Sequence, residues 1–207
     1  MVNLNRRCLE KNPKKMIKEG TSLKPDLYQI DLNGKAIIVK DIYHKNFFYR
    51  WTIGLWLIKK EWKIYLRLKG IKGIPKVFNR IDRFSFSMEY INGREIRRGE
   101  KVSASFFVYL KKIIDEIHAK GVVHLDLRHK GNILVNEHGE PFLIDFNSAL
   151  YFKRNGILKR FLFPILTAID YGGFLKLKQR VSPSTMSPEE IALLKKINWL
   201  RNLWIFN

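Results

Sequence analysis

Val123-His124-Leu125-Asp126, running on through Leu127-Arg128-His129-Lys130-Gly131 to Asn132, and then Leu143-Ile144-Asp145-Phe146-Asn147, are the stretches that organise this chain. Between them, Ile133 to Val135 and Phe142 to Ile144 read as two short apolar strands joined by the turn residues Asn136 to Pro141. Before them, Ser103 to Lys120 places Phe106, Phe107, Leu110, Ile113, Ile114 and Ile117 on one helical face. Ser103 is the expected N-cap of that helix and Gly121 the glycine just past its end. Taken singly, Asp126 and Asp145 are turn or N-cap aspartates and His124 a core histidine. Taken in order, with Asn132 between them, they ask for a chemical role.

Further towards the N-terminus, Asp26 to Ile42 has β-rich flanks around Asn33-Gly34, a favoured hairpin dipeptide. Asn46 to Leu68 repeats aromatic and aliphatic residues at helical spacing, with Gly54 as its weak point, and predicts one helix kinked there. Gly70 to Pro75 breaks it. Val77 to Ile91 then predicts a second hairpin, with Phe84, Phe86, Met88 and Tyr90 alternating, and Asn92-Gly93 a turn out of the sheet. The tail from Lys153 to Asn207 reads as helical and basic, broken near Ser182 to Pro188.

A chain of 207 residues with 46% hydrophobic content is long enough for one core or two small lobes sharing a cleft, which excludes the disordered and fibrous classes. The formal charge of +20, from 39 Lys and Arg against 19 Asp and Glu, favours anionic partners without choosing among nucleotide, lipid and nucleic acid. The single cysteine, Cys8, excludes an internal disulfide framework and suits a reducing compartment. Met1 to Gly20 is charged throughout and contains no secretory signal, so a cytoplasmic location is expected. The most apolar runs, Ile53 to Ile58 and Phe161 to Ile169, fall far short of the roughly 20 residues that cross a bilayer.

Phosphoryl transfer from ATP needs cations for the phosphates, oxygen ligands for magnesium, and a group that takes the proton of the attacking hydroxyl. On these motifs the chain resembles the protein-kinase-like superfamily over about Lys15 to Ala149, and within it the RIO-type kinases and the lipopolysaccharide-core sugar kinases. The resemblance implies an α+β fold with a small antiparallel-sheet N-lobe plus one helix, residues 1–91. A reduced, mainly helical C-lobe carrying the catalytic loop and basic tail follows over residues 92–207. It implies Asp126 as catalytic base and Asn132 and Asp145 as ligands of Mg2+. Lys40, in Ile37-Ile38-Val39-Lys40, is similar to the strand lysine that holds the ATP phosphates, and Glu61 to the helix glutamate that pairs with it. Met88 to Gly93 is similar to the hinge whose backbone holds adenine, which brings in Glu89 and Ile91. Gly20 and Ser22 stand where the phosphate-covering loop would be.

Four departures accompany the resemblance. The loop from Asp126 to Asn132 is one residue longer than the family's, and a bulge at Gly131 is the expected accommodation. Asn147 replaces the glycine of the metal-binding turn and is expected to tolerate a left-handed backbone. No Gly-x-Gly-x-x-Gly precedes the hairpin, and no Ala-Pro-Glu element follows Ala149.

The cofactors implied are ATP and Mg2+, and the acceptor is a hydroxyl on a protein or a sugar. An atypical serine/threonine protein kinase is the favoured reading. The alternatives are a sugar kinase at the inner face of the membrane and an RNA-associated ATPase or pseudokinase, nucleic acid being the weaker partner. Lys153 to Arg180 mixes Phe161, Leu162 and Ile165 with Lys and Arg, as an anionic membrane surface would favour. Packing of its apolar face on the core is the favoured expectation, as it is for Phe47, Phe48, Trp51, Trp56 and Trp62.

Overall fold

The structure, a computed structural model, describes residues 4–96 and 102–203. The chain is α+β and divides into two compact units, Met1–Gly70 with Ile74–Ile91, and Ile71–Gly73 with Asn92–Asn207.

The first unit opens with a short helix, α1 (Arg6–Lys11), and an edge strand, β1 (Lys14–Lys18). The expected hairpin follows as β2 (Asp26–Leu32) and β3 (Lys35–Asp41), with Asn33 and Gly34 both left-handed at φ 55° and 77°, the turn that matches strand twist. Helices α2 (Phe47–Trp51) and α3 (Ile53–Arg67) come next, then β4 (Val77–Arg80) and β5 (Ser85–Glu89). The strands form one antiparallel sheet in the order β1-β2-β3-β5-β4.

Both faces of this sheet are covered. On one, Trp62 and Tyr65 of α3 stack against Phe86 of β5. On the other, Leu4 and Leu9 pack with Ile30, Ile37, Val39 and Ile81. That second layer is why Ser85 and Ser87, the polar half of the β5 alternation, are also buried. Arg6 of α1 reaches Asp41 through two nitrogens at 2.6 and 3.1 Å, and also bonds Asp82 and Ser85. Burial pulls the Arg6 guanidinium down, but the Asp41 and Asp82 carboxylates outweigh it and leave the group above its ordinary value. The sequence pattern predicts neither α1 nor β1. A helix of under two turns and a lysine-rich edge strand lack the periodicity by which sequence patterns are recognised.

The helical segment from Asn46 breaks at Thr52, at φ −116° and ψ −104°, and not at Gly54. Gly54 is buried inside α3, where a Cβ would lie 2.8 Å from the Tyr49 ring. The aromatic run is largely on the surface, contrary to the packing expectation. Phe47, Phe48 and Trp56 are exposed, Trp51 meets Phe84 by its edge, and only Trp62 turns inward onto Phe86.

The second unit contains β6 (Gly93–Glu95), α4 (Ala104–Ala119), β7 (Val122–Val123), β8 (Ile133–Asn136), β9 (Pro141–Leu143) and β10 (Leu150–Tyr151). Two helices close it, α5 (Ile157–Val181) and α6 (Pro188–Leu203). Gly93 opens a strand where a turn was expected, because Gly93 to Glu95 pair with Asn136 to Leu134 in the antiparallel sheet β6-β8-β9. The six apolar residues expected on one face of α4 are all buried, each worth about 2 kcal/mol of transfer free energy. Ser103 caps α4 by backbone conformation without a side-chain hydrogen bond, and Gly121 follows it at φ 75°.

The break in the tail falls at Ser182 to Ser187 as expected, and Lys178 binds Glu190 across it at 2.6 Å. Residues 204–207 of the tail lie outside the described residues. The two halves of α5 differ. Asp170, Gly172, Gly173, Phe174, Leu175 and Leu177 are buried, whereas Ile157, Leu158, Phe161, Leu162, Ile165 and Ile169 are exposed. The favoured packing of the tail therefore holds for its second half, while in the first half Phe163 stacks inward on Phe152 and His118 and most apolar side chains face outward.

Candidate active site

In the first unit, Lys40 lies on the β3 face that looks towards α3, and its Nζ is 2.6 Å from Glu61 Oε1. The two residues are 5% and 1% exposed, so neither is the solvated surface charge that Lys and Glu usually are. A buried ammonium and carboxylate must be held together, since removing either strands the other in a poorly solvating interior.

Gly20 and Ser22 lie in the loop between β1 and β2. That loop is tied down at Gly20, whose N–H donates to Asp26 Oδ1 at 2.8 Å. Lys45 Nζ donates to the Gly20 carbonyl and to Asp26 Oδ1, while Ser22 is exposed. Lys45 was not singled out in the sequence, where nothing distinguishes it from its many neighbours of like charge. Glu89 ends β5. Its N–H donates to the Lys76 carbonyl and its carboxylate accepts from the Lys76 N–H at 3.0 Å, closing the β4–β5 hairpin. Ile91 is half-buried in the connection to β6.

In the second unit, β7 delivers His124 into the interior and the backbone then turns sharply, with Leu125 at φ 67°. The His124 ring meets Phe146 at 4.7 Å between centroids, and its Nε2 is 3.0 Å from the Ile144 carbonyl. A carbonyl only accepts, so Nε2 carries the proton. Nδ1 is then left to accept from the Asp126 N–H at 3.3 Å. Burial pushes the His124 pKa down from 6.5, against the pull of Asp170, the Ile144 carbonyl, Asp145 and Asp126, which keeps the ring neutral at neutral pH. One neutral ring thus bonds the Asp126 segment to the Asp145 segment.

Asn132 comes back to Asp126. Its Nδ2 donates at 2.9 Å both to the Asp126 carbonyl and to Asp126 Oδ2, and the Ile144 N–H donates to the Asn132 carbonyl. The extra loop residue is absorbed by two successive turns, His129 N–H to the Asp126 carbonyl and Asn132 N–H to the His129 carbonyl. Gly131 is not left-handed, so the expected bulge is absent. In the turn after β9 the left-handed residue is Asp145 itself, at φ 62°, and not Asn147. The left-handed conformation expected at Asn147 falls on the aspartate, with the Phe146–Ser148 turn starting directly after it.

Asp170 is the principal residue that sequence reasoning missed. From the buried half of α5, its Oδ2 accepts from the His124 N–H at 2.7 Å and from His118 Nε2 at 2.9 Å, and its Oδ1 accepts from the Leu125 N–H at 2.7 Å. It fixes the turn that presents Asp126. Gly173 lets α5 come this close, since a Cβ there would lie 3.0 Å from that of Leu127. A lone acid in an apolar helical run was the one available signal.

Among the described residues, no three His, Cys, Asp or Glu side chains gather as a metal site. Asp145 and Asn132 nevertheless suit Mg2+, which takes one or two protein oxygens and completes its shell with phosphate and water. With Nδ2 directed at Asp126, Oδ1 is the Asn132 atom left to face a cation.

No protein-family model matches the chain. It is 31% identical over 117 residues to CBL-interacting protein kinase 12 of Oryza sativa subsp. japonica, covering 51% of this chain and 22% of that protein. It is 32% identical over 93 residues to CBL-interacting serine/threonine-protein kinase 15 of Arabidopsis thaliana, covering 41% and 22%. A second rice relative, CBL-interacting protein kinase 5, is 30% identical over 113 residues, covering 49% and 24%. The chain thus matches less than a quarter of the length of these relatives. The matches support a place in the protein-kinase-like superfamily.

Proposed function

We propose that the chain is an ATP-dependent phosphotransferase of the protein-kinase type, an atypical one, moving the γ-phosphate of ATP to a serine or threonine hydroxyl. The observation that carries the reading is the hydrogen-bonded knot of Asp126, His124, Asn132 and Ile144-Asp145, which sets a base and two oxygen ligands on one rigid frame. The buried Lys40–Glu61 pair supports it from the first unit.

In this mechanism the acceptor oxygen attacks the γ-phosphorus, the bond to the β,γ-bridging oxygen breaks, ADP leaves, and the hydroxyl proton passes to Asp126. Asp145 and Asn132 would hold Mg2+, which would supply neutralisation of the phosphate charge. Lys40 holds the α- and β-phosphates and Glu61 keeps its ammonium aimed. Gly20 and Ser22 cover the phosphates, and the backbone of Glu89 and Ile91 takes the adenine edge. The short contact of Asn132 with Asp126 favours catalysis over an RNA-associated ATPase or pseudokinase, because the lengthened loop still brings the two side chains together.

A sugar hydroxyl as acceptor, as in the lipopolysaccharide-core kinases, is the second reading, favoured by the exposed apolar half of α5. Incubation of the purified chain with γ-labelled ATP and Mg2+, alone and with generic protein acceptors, tests the first reading. Label on protein, lost in Asp126→Ala, is the expected result. ATP turnover that labels no protein and is unaffected by Asp126→Ala would overturn it.

A further inference from the structure

The first half of α5 is amphipathic in the opposite sense to an ordinary surface helix. At about 100° per residue, Ile157, Leu158, Phe161, Leu162, Ile165 and Ile169 fall in one arc roughly 140° wide. Ile157 is 79% exposed, Leu158 66% and Phe161 65%. The face turned inward on the same stretch carries Phe163, stacked on Phe152 and His118, and the buried Asp170. The outward apolar arc is therefore not a misoriented core face, because the core face is separately filled.

Cations frame the arc. Lys159 and Arg160 fall just beyond its two sides on the helical wheel, and Lys153 and Arg154 immediately precede the helix. Lys159 lies along the Phe163 ring with its ammonium 5.2 Å from the centroid. The helix turn from Ile157 to Ile169 contains no acidic residue. Among the described residues no helix is long and apolar enough to cross a membrane, α5 included. An apolar arc bordered by cations, on a chain of net charge +20, is the composition of a helix that lies in a bilayer interface, with its apolar side chains below the headgroups and its cations among the phosphates.

We propose that the Ile157–Ile169 face of α5 docks the protein on an anionic phospholipid surface. A second copy of this chain is a poorer occupant, because it would set the cations of one copy against those of the other. The proposal goes beyond phosphotransfer and does not rest on it, since lipid binding is read without ATP or acceptor.

The test is co-sedimentation of the full chain with vesicles of phosphatidylcholine containing phosphatidylglycerol, and with vesicles of phosphatidylcholine alone. The expected result is binding to the anionic vesicles, weakened by salt, and reduced about tenfold or more in Phe161→Ser/Ile165→Ser, whose side chains touch little of the fold. That variant should melt like the parent. Arg154→Glu/Arg160→Glu should lose the preference for phosphatidylglycerol. Absence of binding to anionic vesicles overturns the proposal. So does binding that Phe161→Ser/Ile165→Ser leaves unchanged, which would be diffuse attraction of a cationic protein. Concentration-dependent dimerisation, abolished by the same variant and without lipid binding, would assign the face to a second copy.

Discussion

The two units hold their charged site residues by different means. In the first, an ion pair between side chains joins Lys40 of a strand to Glu61 of a helix. In the second, Asp126 is held through its backbone by His124, by Asn132, and at one remove by Asp170, whose carboxylate binds the two preceding amides. An ion pair between side chains is sensitive to replacement of either partner. A lattice of backbone hydrogen bonds resists any change short of local unfolding. Pairing of side chains in the first unit and anchoring of the backbone in the second should respond differently to substitution.

The largest effect is expected where the fixed lattice meets chemistry. Asp126→Asn keeps an oxygen for Asn132 but removes the base, and should lower transfer about 10³-fold with the melting temperature unchanged. Comparison of initial rates and thermal melts checks this. Lys40→Met strands Glu61 and should cost about 3 kcal/mol in denaturant unfolding as well as activity. Adding Glu61→Leu should restore the stability and not the activity, since an apolar pair replaces a buried ion pair at little cost. If the double variant is as unstable as the single, a stranded Glu61 carboxylate is not the source of the instability.

Asp170→Ala leaves two amides and His118 without their acceptor and should cost about 3 kcal/mol. It should also slow transfer without raising the KM for ATP. Smallest is the acid response of His124. The folded state holds the neutral ring with its pKa below 6.5, so below about pH 6.5 the unfolded chain binds more protons. Stability attributable to this group is complete above that pH and falls as pH drops through the window, by at most about 1.4 kcal/mol per pH unit. His124→Gln, read in parallel denaturant titrations, should flatten that slope.

The same contrast explains what was legible in the sequence. Asp126, Asn132 and Asp145 stand close together in the chain, in an order that chemistry demands, and Asn33-Gly34 announces its own turn. Asp170 is 46 residues beyond His124, and its meaning arises only when α5 folds back on the loop. Arg6 is equally silent until α1 covers the sheet and brings it to Asp41, 35 residues on. Backbone detail was the other blind spot. That Asp145 and not Asn147 takes the left-handed conformation, and that two turns and not a bulge absorb the extra loop residue, depend on hydrogen bonds that residue type does not specify. Nor does an apolar stripe say which way it faces, as the exposed half of α5 shows.

Binding of ATP with Mg2+ is tested by titrating ATP into the intact chain calorimetrically with and without Mg2+. The expected result is binding that Mg2+ strengthens, with Asp145→Ala abolishing the Mg2+ dependence and Lys40→Met weakening affinity while leaving that dependence in place. Affinity for ATP that is unaffected by Mg2+ and by both substitutions would contradict it.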